Sequence, residues 1–220
     1  MDWFPIFVDL RSANCLVVGG GAVAGRKAEQ LLAAGACVTV AAPQLHAGLS
    51  RLAERGEIVH VARAFEPGML DDCELVIAAT DSPEVNRQVS IDARRRRRLV
   101  NVVDEPALCK FIMPAIVDRS PVVVAVSSGG CAPVLARKLK ALIEAILPRG
   151  LGTLAEAAGS LRKQVKARVA DPDARRQLWE RVFDASMIEH VDPGNATQTR
   201  EMLEALINDG TVRASERTIR

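Results

Sequence analysis

Two stretches of this sequence hold residues of the types that do chemistry. The first is Gly19-Gly20-Gly21-Ala22-Val23-Ala24, which fits G-x-G-x-x-A with Gly19, Gly21 and Ala24 at the key positions. In such a loop the first glycine permits a tight turn and the second lets the backbone approach a pyrophosphate. The small third residue lets helix and strand pack closely. A helix N-terminus behind the loop offers N–H donors and partial positive charge to phosphates. The chemistry implied is dinucleotide binding; the alternative is a structural turn in an α/β domain without a ligand. The second stretch is Leu99-Val100-Asn101-Val102-Val103-Asp104-Glu105, an apolar run that ends in carboxylates. Asp104 at the C-terminal edge of a strand, beside a bound cofactor, can act as a general base if its site raises its pKa. It can equally cap a turn before Pro106. Residue physics alone leaves both open.

Other stretches are weaker. Thr80 and Asp81 follow the apolar run Leu75–Ala79, and ligands of open α/β sheets bind beyond such strand ends. Ser127 and Ser128 could donate hydrogen bonds to an anion, and Gly129 and Gly130 would let it come close; a plain loop before a helix is the alternative. Arg137 and Lys138 follow in that helix. The run Arg94 to Arg98 reads as a solvated helix end, or as an attractor of polyanions if it faces the crevice. His46, His60 and His190 have no metal-ligand spacing, so no resident metal site is expected. The acidic residue that grips the ribose of NAD about 20 positions beyond the glycine loop is missing. Ala41 and Ala42 stand there instead, with Gln44 nearby and no arginine for a 2′-phosphate.

The elements that must position these residues alternate. Apolar runs over 14–21 (ending in glycines), 37–43 (closed by Pro43), 73–80 and 99–103 read as strands, and Glu57–Phe65 alternates like one. Segments with helical spacing lie between them, and Ser82 with Pro83 is a good helix start. Repeated β-α units argue for a parallel sheet with helices on both faces. After Asp104 the pattern changes. Two strands flank a turn at Asp118-Arg119-Ser120-Pro121, an amphipathic helix ends at Pro148, and every later signal is helical. The fold class expected is α/β: a Rossmann-like parallel sheet domain over 1–112, a small mixed segment over 113–149, and a helical region over 150–220. The tail Thr211–Arg220 has no packing pattern of its own and reads as a linker stub.

The bulk numbers exclude some classes. With a net charge of +2, 3% aromatic residues and no tyrosine, the 220-residue chain has little for stacking nucleic-acid bases. No apolar run approaches the ~18 residues of a membrane span. The five cysteines form no C-x-x-C pair and read as reduced thiols of a cytoplasmic protein.

Several longer stretches together resemble one family. Pro5–Leu10, Cys15–Ala36, Ile77–Ser90, Asn101–Gly130 and Pro133–Leu139 are similar to the dehydrogenase/ferrochelatase module of siroheme synthase, over residues 3 to about 183. The most specific parts are V-G-G-G-x-V-A-x-R-K, N-V-V-D, F-I-M-P-A and S-S-G-G. The resemblance implies oxidation of precorrin-2 to sirohydrochlorin with NAD+, then insertion of Fe2+, a substrate, to give siroheme. It implies a homodimer joined through the mixed segment. It makes Asp104 the acid/base residue of both steps and puts Ser128 at the tetrapyrrole cavity. NAD contacts carry over to Gly21, Ala22, Val23, Pro43 and Gln44, which join Gly19 and Thr80 as the expected cofactor residues. Asn101, Ser127, Ser128 and Gly129 are the expected substrate residues. Many bacterial members are fused to a methyltransferase that makes precorrin-2, so a fused or separate uroporphyrinogen methyltransferase is an expected partner. Two narrower readings stay open: dehydrogenase only, or a non-catalytic dinucleotide-sensing domain.

Overall fold

The computed structural model describes residues 1–184, 187–188 and 191–218, with 210–218 described by backbone alone. His190 and the last two residues of the expected stub, Ile219 and Arg220, lie outside the described residues. The chain divides into two units, Met1–Met113 with Gly129–Cys131, and Pro114–Ser128 with Ala132–Arg220.

The first unit runs β1 (Asn14–Val18), α1 (Ala22–Ala33), β2 (Cys37–Ala41), α2 (Ala47–Glu54), β3 (Ile58–Val61), β4 (Leu75–Ala78), α3 (Pro83–Arg95) and β5 (Leu99–Val102). Its five strands form one parallel sheet in the order β3-β2-β1-β4-β5, the architecture expected. The central strands β1 and β4 are apolar apart from Asn14 because both faces are covered. Cys15 and Val17 of β1 pack with Ala24, Ala28, Leu31 and Leu49 on one face. Leu16 and Val18 pack with Val89 and Ala93 on the other. Strand order reverses between β1 and β4, and helices cross to opposite faces there, so a crevice opens at the C-terminal ends of these two strands.

Local signals set the helix ends. Ser82 caps α3 by accepting a hydrogen bond from the N–H of Val85, and Pro83 takes the first helical position. His46 caps α2, its Nδ1 accepting from the N–H of Gly48 at 3.1 Å. α1 differs: its N-cap is Gly21, with no side-chain cap, so its N-terminal N–H groups are left for another acceptor.

The second unit opens with a hairpin of β6 (Ala115–Arg119) and β7 (Val122–Val126). The turn holds because Asp118 Oδ1 accepts from both the N–H and the hydroxyl of Ser120, at 2.8 and 2.6 Å. The helices α4 (Pro133–Ile146), α5 (Leu151–Arg168), α6 (Pro172–Val182) and α7 (Ala196–Thr218) follow. Leu154, Leu161 and Val165 of α5 share a core with Leu178, Val182, Leu203 and Ile207. A Cβ on Gly152 would stand 2.1 Å from the carbonyl oxygen of Ser120, so α5 begins tight against the hairpin turn. The mixed segment and the helical region, read as separate from sequence, thus fall in one unit. The backbone of α7 runs helical through Thr218, into the tail read as a stub.

Candidate functional site

A cavity of about 630 Å³ lies at the C-terminal ends of β1, β2 and β4. Gly19, Gly21, Ala22, Val23, Pro43, Gln44 and Thr80 all line it. Its position is the switch point of the sheet, where dinucleotides bind in this architecture. The glycines divide the labour by contact. Gly19 has φ +126°, and a Cβ there would sit 2.3 Å from the carbonyl oxygen of Ala79. A Cβ on Gly20 would sit 1.9 Å from the carbonyl oxygen of Gln44. Gly21 has nothing within 4 Å of its Cβ position, so that side of the loop is open to a ligand. Gly20 was not singled out from the sequence. Its requirement comes from the β2–α2 loop, to which Gly20 is also tied by the N–H of His46 donating to its carbonyl at 2.7 Å.

Thr80 is fixed by Asn86 of α3. Its hydroxyl donates to Asn86 Oδ1 at 2.8 Å, and Asn86 Nδ2 donates to the Thr80 carbonyl at 2.9 Å. Asp81 and Phe65 also line the cavity, and no arginine or lysine does.

Asp104 lies just beyond the end of β5. The N–H of Glu105 donates to the carbonyl of Val102, so Asp104 is the third residue of a tight turn, with φ +61°. Aspartate tolerates this left-handed conformation better than most residues, because its short side chain bonds to nearby backbone. Its side chain is exposed. The turn reading and the site reading therefore describe the same residue: the turn is what lifts the carboxylate clear of the sheet edge.

The loop after Asp104 is braced from beneath. Asn101 is buried, and its Nδ2 donates to the carbonyl of Phe111 at 3.0 Å. The thiol of Cys109 faces the N–H and carbonyl of Val102, at 3.1 and 3.3 Å, and burial pushes its pKa up. Ser90 Oγ donates to the Leu108 carbonyl at 2.6 Å, and Arg94 donates to the Cys109 carbonyl at 2.9 Å. The arginine run keeps Arg94, Arg95 and Arg97 exposed, as a solvated end would, yet some of its members also hold other segments. Arg94 holds the Asp104 loop, Arg96 pairs with Asp71, and Arg98 donates to the Asp71 carbonyl.

Ser127 and Ser128 belong to the second unit and Gly129 to the first. Ser128 Oγ accepts from the N–H of Ala132 at 3.0 Å, next to the start of α4. His60 Nε2 is 2.9 Å from the Ala42 carbonyl, and His46 is the α2 cap, so both have structural partners. Among the described residues no three of His, Cys, Asp and Glu gather into a metal-binding group. None of the helices described is long and apolar enough to cross a membrane.

Lys27 of α1 was noted in sequence only as part of a motif. Its ammonium is half-buried, and desolvation lowers its pKa, helped by Arg26 and opposed by the charge of Asp104.

Comparison with known proteins finds family matches along most of the chain. Residues 6–115 match the family described as "Putative NAD(P)-binding", 119–146 "Sirohaem biosynthesis protein central", and 150–207 "Sirohaem synthase dimerisation region". The siroheme synthase of Chromobacterium violaceum is 50% identical over 210 residues, covering 96% of this chain and 45% of the relative. That of Methylobacillus flagellatus is 50% identical over 208 residues, covering 94% and 44%. The chain spans less than half the length of these curated relatives. Among solved structures, SirC, a precorrin-2 dehydrogenase, superposes with a TM-score of 0.72 at 22% identity, covering 93% of this chain and 98% of that one, a likeness of fold. The chain belongs to the siroheme synthase family, with an NAD(P)-binding part over 6–115 followed by the family's central and dimerisation regions.

Proposed function

We propose that this chain oxidises precorrin-2 to sirohydrochlorin with NAD+ and then inserts Fe2+ to give siroheme, with Asp104 as the acid/base residue of both steps. The observation that carries the reading is a coincidence at one sheet edge. All seven expected cofactor residues line a single cavity at the strand-order switch, and the turn after β5 presents an exposed carboxylate at the same edge.

The residues present fit a dinucleotide. Gly21 leaves open space, α1 has uncapped N–H groups, and the small residues Ala41 and Ala42 line the cavity where an acidic side chain often stands. The absence of a lysine or arginine from the lining favours NAD+ over NADP+, whose 2′-phosphate needs a cation. When bound, NAD+ supplies the hydride acceptor. Oxidation removes a hydride and a proton from the macrocycle, and the Asp104 carboxylate takes the proton. Metal insertion needs two pyrrole N–H protons removed as Fe2+ enters. The same exposed carboxylate, having released the proton of the first step to solvent, can accept them one at a time and pass each to water. The macrocycle nitrogens hold the iron, so no histidine cluster is required. Asn101, Ser127, Ser128 and Gly129 are assigned to the tetrapyrrole on the family resemblance; Asn101, buried beneath the loop, would act by positioning it.

A homodimer fits the second unit, where α4 leaves Val134, Leu135, Leu139, Leu142 and Ile146 exposed. A uroporphyrinogen methyltransferase, fused or separate, would supply the substrate. Five free cysteines agree with a reducing cytoplasm.

The test is an anaerobic assay of the chain with precorrin-2 and NAD+ without metal, following NADH and the sirohydrochlorin spectrum together. Co-appearance supports the dehydrogenase. Adding Fe2+ then separates a bifunctional enzyme, which forms siroheme faster than the protein-free control, from a dehydrogenase alone. NADH binding without turnover would favour a dinucleotide sensor.

A further inference from the structure

Lys27 is left without a task by the reaction described above. It lies on α1 between Ala24 and Ala28, both at 0% exposure against the sheet, so its stem leaves the helix at the edge of the buried face. Long helical side chains point back toward the helix N-terminus. For α1 that is the C-terminal edge of the sheet, where the glycine loop and the β5 turn stand. Val103, Phe111 and Met113 pack onto the same core face as Ala24 and Ala28, which brings the Asp104 turn to the side of the sheet that α1 covers.

Lys27 is half-buried, and among the described residues no hydrogen bond or salt bridge within 4 Å holds its ammonium, although the charge of Asp104 acts on it. A partly desolvated cation that no anion meets by hydrogen bond, with only the charge of Asp104 acting on it favourably, gains from a second, directly bonded carboxylate. Lys27 does not line the cavity of the glycine loop, so the dinucleotide phosphates are not the anion it awaits. On the other side stands Asp104, and the ligand proposed there is a macrocycle rich in carboxylates.

We propose that Lys27 is a substrate-orienting residue: its ammonium pairs with a side-chain carboxylate of the tetrapyrrole and so fixes which part of the ring faces Asp104. This rests on the precorrin-2 reading above and names the residue that turns the macrocycle into register.

The test uses the full chain with Lys27→Gln and Lys27→Arg, melting curves first confirming that both fold. In the anaerobic assay Lys27→Gln should raise KM for precorrin-2 by about tenfold to a hundredfold, the range of a lost charge-assisted hydrogen bond. KM for NAD+ should stay unchanged. Lys27→Arg should recover most of the loss. The wild-type KM for precorrin-2 should rise more steeply with salt than that of Lys27→Gln, since one ion pair is gone. An unchanged precorrin-2 KM in Lys27→Gln overturns the proposal, and so does a rise confined to KM for NAD+. Failure of the catalytic reading shows separately, as wild type without turnover. Sirohydrochlorin titration then decides: tighter binding by wild type than by Lys27→Gln keeps the proposal, and equal or absent binding removes it.

Discussion

The strands of the two units differ more than their shared apolar sequences suggest. β4, Leu-Val-Ile-Ala, is buried at every position, whereas of β6 and β7 together only Val117 is buried. β4 lies between neighbours in a parallel sheet with helices on both faces, so its core closes within the chain. The β6–β7 hairpin has two strands only, and α4 beside it buries Ala136 alone while Leu142 is 65% and Ile146 78% exposed. A two-stranded hairpin is marginal by itself. The contrast teaches that the first unit is built to close around its own site, and the second to be completed by something else, for which a second copy is the proposed occupant.

That comparison can be broken. The largest effect expected is at Asp104. Asp104→Asn should lower precorrin-2 oxidation by about a hundredfold or more, the usual contribution of a general base. NADH binding by fluorescence titration should not change, because the dinucleotide cavity does not include Asp104. Retained oxidation would make the carboxylate a turn residue only.

The glycine loop sharpens the comparison from inside the first unit. Gly20→Ala should destabilise by about 2–4 kcal/mol in thermal or urea melts, because its Cβ would meet the Gln44 carbonyl at 1.9 Å and backbone must move. Gly21→Ala meets nothing within 4 Å and should leave the melt nearly unchanged while weakening NADH binding. Equal melts for the two would mean that the loop is not packed as described.

The second unit is tested at its exposed face. Leu142→Glu with Ile146→Glu should convert a dimer into monomer by light scattering and leave NADH binding in place. A variant that stays dimeric places the interface elsewhere.

The smallest effect is a pH dependence in α4. Hydrogen bonding from Lys140, with Arg119 nearby, holds the Glu144 carboxyl below its ordinary value. A depressed carboxylate stabilises the fold above its unfolded pKa and loses that contribution as pH falls through its folded value. Glu144→Gln should therefore lower the melting temperature slightly at about pH 7 and converge with wild type in acid. A gap that persists in acid would assign the effect to packing.

Much of the fold is legible along the chain because its signals are local. Periodicity marks β1 to β5, Ser82-Pro83 marks the start of α3, and the glycine spacing marks the loop before α1. The cofactor residues read from that spacing and from the resemblance meet at one cavity, since consecutive β-α units of one hand bring their loops to one sheet edge. The arginine run was less legible. That the exposed Arg94 also reaches the carbonyl of Cys109 depends on a loop 15 residues away, and no local pattern encodes that.

The sequence by itself determined the element order, the glycine loop, and a carboxylate at the end of β5, because each follows from neighbours within a turn or two of chain. The tertiary structure alone decided that Gly20 admits no side chain, that Asn101 and Cys109 brace the Asp104 loop, and that Lys27 stands half-buried within the field of Asp104. Those are contacts between segments far apart in sequence, and only the closing of the sheet brings them within bonding distance.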